Sequence, residues 1–221
     1  MMIVSERDRP FRLLLSGGLF VFLAIAVMQS SSLLLVVDDL GIQLAQKTQT
    51  GLKDGLFHLI TTLASPTLDI VWVLVLAFFL WGFKYKIPAL WAIGVMISGD
   101  VVAFIVKHLV GRARPIGHLA ADDGFSFPSG HVFGMFLLVA MIWLLVLPRV
   151  KKYWQLILLR AVLMIWVLLV AFSRVYMGAH FPSDTVAAML LGYAWIQVCE
   201  YLYVSLAPRL KQVSFVKNSI I

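Results

Sequence analysis

Six long apolar runs dominate this chain, at 14–36, 56–82, 87–109, 128–148, 154–175 and 183–206. A helix crossing the hydrocarbon core of a bilayer needs about 20 such residues. The runs leave little chain for a water-facing surface. Of 221 residues, 62% are hydrophobic and only 13% are charged, whereas soluble domains carry about 25% charged residues. The expected fold is therefore all-α: a polytopic membrane protein, built as a six-transmembrane-helix bundle in which residues 1–221 form a single unit. The lone Cys199 sits inside an apolar run and has no partner for an internal bridge, so a disulfide scaffold is excluded. Arg7, Arg9 and Arg12 ahead of the first run would also suit a signal peptide. No A-x-A-like site follows that run, and an uncleaved first helix is the expectation.

The charge balance then orients the bundle. Eighteen Lys+Arg against 11 Asp+Glu give +7, but no basic stripe interleaves with exposed aromatics, and nucleic acid is not an expected partner. The basic residues collect in four places: Arg7, Arg9 and Arg12; Lys84 and Lys86; Arg149, Lys151 and Lys152; and Arg209, Lys211 and Lys217. With six spans all four lie on one side, and the cytoplasmic bias of Lys and Arg makes that side cytoplasmic, with both termini. Arg160 lies inside the fifth run, near enough to its inner end to snorkel. The opposite side receives 37–55, 110–127 and 176–182. The first of these begins with Asp38 and Asp39, and both an interfacial helix and a plain surface loop fit it.

Ionisable residues at the edges of membrane spans are costly and therefore informative. Lys107, Arg112 and Arg114 close the third run, His131 opens the fourth, Arg174 closes the fifth, and His180 and Asp184 flank the sixth. Cations gathered on the side that the positive-inside bias disfavours point to an anionic ligand. Lys107 and Arg114, seven residues apart, would share a helical face about 10 Å apart along the axis, with Pro115 ending the helix. Phe127-Pro128-Ser129-Gly130-His131 reads as a helix N-terminus, where free N–H groups and the positive dipole end favour anions. Asp184, in the first turn after Pro182, can accept a hydrogen bond from His180 and fix its tautomer. That is the geometry of an oriented nucleophile, although a structural His–Asp pair has the same spacing. Zinc would find His131, His180 and Asp184 as donors, but Lys107, Arg114 and Arg174 would repel it. Asp100, on the Lys107 face, is expected to meet polar groups inside the bundle. Asp69 and Glu200 carry no functional expectation beyond packing and hydrogen bonding.

Taken together, eleven positions form a pattern: Lys107, six residues, Arg114-Pro115; Pro128-Ser129-Gly130-His131; and Ser173-Arg174, five residues, His180, three residues, Asp184. This resembles the three-part signature of the type-2 phosphatidic acid phosphatase superfamily, in its membrane lipid phosphatase branch. The resemblance implies that His180 attacks phosphorus and becomes a phosphohistidine, oriented by Asp184. It implies that Lys107, Arg114, Arg174 and the backbone N–H groups of Ser129 and Gly130 hold the phosphoryl oxygens, and that His131 is the general acid and then base. No metal, cofactor or obligatory protein partner is implied, and Arg112 is an extra cation suited to a headgroup or second phosphate. The implied substrate is a membrane lipid phosphate met on the extracytoplasmic face of the cell membrane. The compact length leans towards bacterial enzymes acting on undecaprenyl diphosphate or phosphatidylglycerophosphate. A phosphatidate phosphatase or a lipid phosphotransferase would use the same site. A transporter of anionic lipids is a more distant alternative, because the charges lie at one face and form no midplane path.

Overall fold

The computed structural model describes residues 2–116 and 124–221 of the chain. Among them are eight α-helices and no strand: α1 (Arg9–Met28), α2 (Ser32–Gln46), α3 (Gly51–Leu63), α4 (Pro66–Gly82), α5 (Lys86–Val110), α6 (Gly130–Leu145), α7 (Tyr153–Tyr176) and α8 (Pro182–Leu210). Five helical stretches are long and apolar enough to cross a membrane, and α3 with α4 makes a sixth if that bent pair counts as one span. The six-helix expectation holds in this form.

Two of the apolar runs are interrupted where the sequence carries local breakers. The first stops at Met28, and the polar quartet Gln29 to Ser32 turns the chain, with Ser30 in the left-handed region at φ 51. The run 56–82 is bent by 53° between α3 and α4. Pro66 has no N–H to continue α3 and instead opens α4, where the Ser65 hydroxyl caps Leu68 N at 3.4 Å. The stretch 37–55 is neither one interfacial helix nor a plain loop. It holds most of α2, a short turn and the start of α3, with Val37, Leu40 and Leu44 exposed and Asp38 buried.

α6 lies at the centre, touching α4, α5, α7 and α8. Val132, Phe133, Leu137, Met141 and Leu145 are almost wholly enclosed. Small residues on the neighbours let it approach closely. Gly99 of α5 lies against Leu137 and Phe133, and Gly192 of α8 lies against Phe136, where an added Cβ would stand 2.7 Å from the ring. Without a hydrophobic force between helices in lipid, such close backbone contact is what holds them together.

The cluster of basic segments is visible as contacts at one end of the bundle. Arg9 of α1 pairs with Glu200 of α8 at 2.8 Å, both nearly buried. The C-terminal tail folds back so that Ile220 N donates to Lys84 O at 2.9 Å and Ser219 Oγ receives Ile87 N at 2.9 Å. Arg149 stacks on Tyr85 at 4.4 Å. Arg160 rests over the Trp143 ring at 4.8 Å, so an aromatic face accommodates its charge. Asp100 is exposed on α5 and at the same time stands within electrostatic range of Asp69 of α4. Asp69 is the enclosed carboxylate, packed against Gly134 of α6.

Breaking the Arg9–Glu200 pair on one side leaves a charge in an apolar interface. Glu200→Ala is expected to cost about 3 kcal/mol, read as a lower unfolding temperature in detergent. Replacing both residues together with Met and Leu is expected to restore most of that loss.

Candidate active site

The signature residues meet at the end of the bundle opposite the chain termini. α5 ends earlier than Pro115. Gly111 takes φ 64 and its N–H closes on Lys107 O at 2.9 Å, a left-handed cap that only glycine adopts without strain. Lys107 therefore stays in the last helical turn, while Arg114 sits beyond it in an extended segment. The two do not share a helical face as their spacing suggests. They converge because 112–114 runs beside 124–126: Ser126 N donates to Arg112 O at 2.8 Å, Lys107 Nζ to Phe125 O at 3.0 Å and Arg114 Nε to Gly124 O at 3.1 Å. Residues 117–123, within the expected outer segment 110–127, lie outside the described residues.

Ser129 is the N-cap of α6, and Gly130 and His131 form its first turn. The Ser129 N–H does not face an empty cradle. It donates to Asp184 O at 3.2 Å, which ties the start of α6 to α8. At this N-terminus an anion would meet the Gly130 N–H and the Ser129 hydroxyl, which is buried and has no hydrogen-bond partner among the described residues. His131 is half-buried and within electrostatic range of Arg174, His180, Lys107 and Arg114.

Arg174 lies in the last turn of α7, almost buried. Its carbonyl receives Ala179 N at 3.0 Å and His180 N at 3.2 Å, and Gly178 at φ 68 makes the turn that this requires. The fold thus carries the chain straight from Arg174 to His180. The His180 ring is 1% exposed. Its Nδ1 faces Asp184 Oδ2 at 3.5 Å, and its Nε2 lies 3.3 Å from Arg114 Nη1, which also donates to Ala179 O at 2.9 Å. Asp184 Oδ2 accepts from Phe181 N at 2.9 Å, completing the cap of α8 and fixing the carboxylate beneath the ring. Burial pushes the His180 imidazole down to about 4 from the ordinary 6.5, with Arg174 and Arg114 adding to the fall while Asp184 pulls upward.

All eight residues that sequence reasoning singles out for chemistry lie at this end of the bundle, and the extra cation beside them needs a correction. Arg112 is not turned to a headgroup position. Its Nη1 donates to Asp184 Oδ1 and to Ser183 Oγ, each at 2.7 Å, and its Nη2 donates to Asp38 Oδ2 at 2.6 Å. Asp38 and Ser183 are the residues that sequence reasoning passed over. Asp38 stands out only as an acid in an apolar helix, 74 residues from its arginine partner. Chemically, the arrangement presents one imidazole nitrogen backed by a carboxylate, three cations and a second imidazole. Such a set can bind a tetrahedral dianion and exchange its substituents.

A family model described as the PAP2 superfamily matches residues 88–206. The provisionally named undecaprenyl-diphosphatase YbjG of Escherichia coli (strain K12) is 26% identical over 159 residues, covering 68% of this chain and 75% of that protein. Phosphatidylglycerophosphatase B of Escherichia coli (strain K12) is 34% identical over 89 residues, covering 38% of this chain and only 32% of that protein. Among solved structures, a transmembrane PAP2-type phosphatidylglycerolphosphate phosphatase from Bacillus subtilis superimposes with a TM-score of 0.71 at 21% identity. That match covers 91% of this chain and 98% of the other, and at that identity the likeness speaks to the fold.

The depressed imidazole gives a direct test. His180 is expected to stay neutral as pH falls through 6.5 and to take up its proton only near 4. Because the unfolded chain accepts that proton near 6.5, the folded state loses stability between about 6.5 and 4 as pH falls. Histidine side-chain NMR of the protein in detergent, with His180→Ala identifying the resonance, reads the midpoint.

Proposed function

The chain belongs to the PAP2 superfamily, whose model spans more than half of it, and from that premise we propose that it is a metal-independent lipid phosphatase working through a phosphohistidine. The observation that carries this reading is the His180 ring, enclosed and set with Nδ1 towards Asp184 and Nε2 beside Arg114. A neutral imidazole held in that tautomer offers the Nε2 lone pair to a phosphorus placed among cations.

In the first step Nε2 bonds to phosphorus as the bond to the leaving oxygen breaks. That electron pair stays on the oxygen, which takes a proton from His131. Lys107, Arg114 and Arg174 neutralise charge on the three equatorial oxygens, where it grows in the transition state. The Gly130 N–H at the start of α6 adds a further donor. Asp184 balances the positive charge on the phosphorylated ring. In the second step His131 takes a proton from water, the water oxygen bonds to phosphorus and the N–P bond breaks. The three cations do the neutralising that a metal would otherwise do, and they make the pocket hostile to one.

The site lies where spans end, so a lipid phosphate or diphosphate reaches it with its tail still among the helices. Relatives named for undecaprenyl diphosphate and for phosphatidylglycerophosphate support those two as substrates. The eleven cations at the terminal end support a cytoplasmic placement for both termini and an extracytoplasmic placement for the site. The whole chain, 1–221, acts as one membrane-embedded catalytic unit.

Purified protein in detergent is expected to release phosphate from undecaprenyl diphosphate, phosphatidylglycerophosphate or both, with excess EDTA present. His180→Ala is expected to lower that release at least about 1000-fold, and His131→Ala to accumulate an acid-labile, alkali-stable phosphoenzyme. Release by His180→Ala at the wild-type rate overturns the mechanism. Transfer to an added lipid alcohol instead of water makes the protein a phosphotransferase.

Orientation has its own test, since the native Cys199 is buried. In intact cells Lys152→Cys is expected to resist a membrane-impermeant maleimide until the membrane is opened. Labelling without permeabilisation inverts the topology.

A further inference from the structure

Arg112 lies between two carboxylates, and the Nε2 side of His180, where a phosphoryl group would stand, is bounded by other residues. Its guanidinium reaches Asp184 on α8 through Nη1 and Asp38 on α2 through Nη2, and lies 3.9 Å over the Phe181 ring. Asp38 is 1% exposed and is held three times, by Arg112, by Ser183 N at 2.9 Å and by Ser183 Oγ at 2.6 Å. Asp184 shares its two oxygens differently: Oδ1 faces Arg112, while Oδ2 faces Phe181 N and the His180 ring.

This geometry has an electrostatic consequence. A lone guanidinium 2.7 Å from Asp184 would draw negative charge away from the histidine. A second carboxylate on the far side of the same guanidinium offsets that draw. We infer that Arg112 and Asp38 are a positioning couple that sets how strongly Asp184 acts on His180, so that α2 tunes the nucleophile without touching substrate. The inference rests on the reading of His180 as the nucleophile. Neither residue belongs to the eleven positions of the signature.

Among the described residues the groups facing His180 are Asp184 from α8, Arg174 from α7, Arg114 from the segment after α5 and His131 from α6. The couple acts behind Asp184 and leaves these in place. Removing the Arg112 charge lets Asp184 act undiluted and makes the imidazole more basic. Removing the Asp38 charge leaves Arg112 uncompensated and makes it less basic. The two substitutions therefore push in opposite directions, which a purely structural role does not do.

The test is made on the full chain in detergent, with the His180 NMR titration and the pH dependence of kcat/KM on phosphatidylglycerophosphate in mixed micelles. Arg112→Gln is expected to move the His180 midpoint up by about one pH unit, and Asp38→Asn to move it down by about half a unit. Arg112→Lys keeps the charge and is expected to restore the wild-type midpoint while kcat stays several-fold low, since an ammonium cannot bridge both carboxylates in the same fork. KM is expected to change less than twofold in all three. Asp38→Asn and Arg112→Lys retain hydrogen-bonding atoms and carry the sign test if Arg112→Gln does not fold. Shifts of the same sign in both charge-removing variants, or an unmoved midpoint in a folded Asp38→Asn protein, overturn the inference. Opposite NMR shifts with kcat/KM profiles that ignore them leave the coupling standing and instead sink His180 as the nucleophile.

Discussion

Asp184 is the point through which the catalytic end of this protein is assembled. Its carboxylate caps α8 through Phe181 N, faces the His180 ring and receives Arg112, while its carbonyl accepts Ser129 N at the start of α6. One residue thus joins the exit of α5, the entry of α6, the turn between α7 and α8, and α8 itself. Through Arg112 and Ser183 it also reaches α2. The links from Asp184 to Arg112 and from Ser183 to Asp38 span 72 and 145 residues, and lipid supplies no hydrophobic force to gather these elements. A buried carboxylate is costly unless every lone pair finds a donor, and that demand gives the end of the bundle its definite geometry.

The same demand explains which features could be read from the sequence alone. Apolar runs of span length and the sorting of Lys and Arg are local properties, so the bundle and its two chemically different ends were legible. So were several signature residues, because a proline announces the helix start beside them: Pro128 before His131 and Pro182 before Asp184. What stayed hidden depends on distance or on a single dihedral. The Gly111 cap takes Arg114 off the helix on which its spacing from Lys107 seems to place it. The bend at Ser65-Pro66 breaks a run that hydropathy joins. Asp38 finds Arg112 across 74 residues, and no periodicity or motif links them.

Arg112 also shows how position changes the meaning of a charge. By sequence it is one of four cations crowded at the ends of the third and fifth runs, equivalent in type to Arg114 two residues on. In an extended segment, alternate residues point the same way only if the backbone is regular. Here 112 and 114 leave a left-handed glycine and part company: one guanidinium enters a carboxylate cage, the other stands beside His180 Nε2. Burial and partner decide the role, and residue type alone does not.

The charges of the site then close on a simple balance. Lys107, Arg112, Arg114 and Arg174 supply four positive charges, and Asp38 and Asp184 return two negative ones. Among these six groups the positive charges outnumber the negative ones by two. Their placement differs. The Arg112 charge is held within its cage, whereas Arg114 stands beside His180 Nε2, on the side of the ring away from Asp184. Under the proposed mechanism, such a field would draw a dianion to the Nε2 face while the carboxylates sustain the basicity of the ring behind it. On that reading the cationic front and the anionic back together would keep a buried imidazole nucleophilic beside a bound dianion.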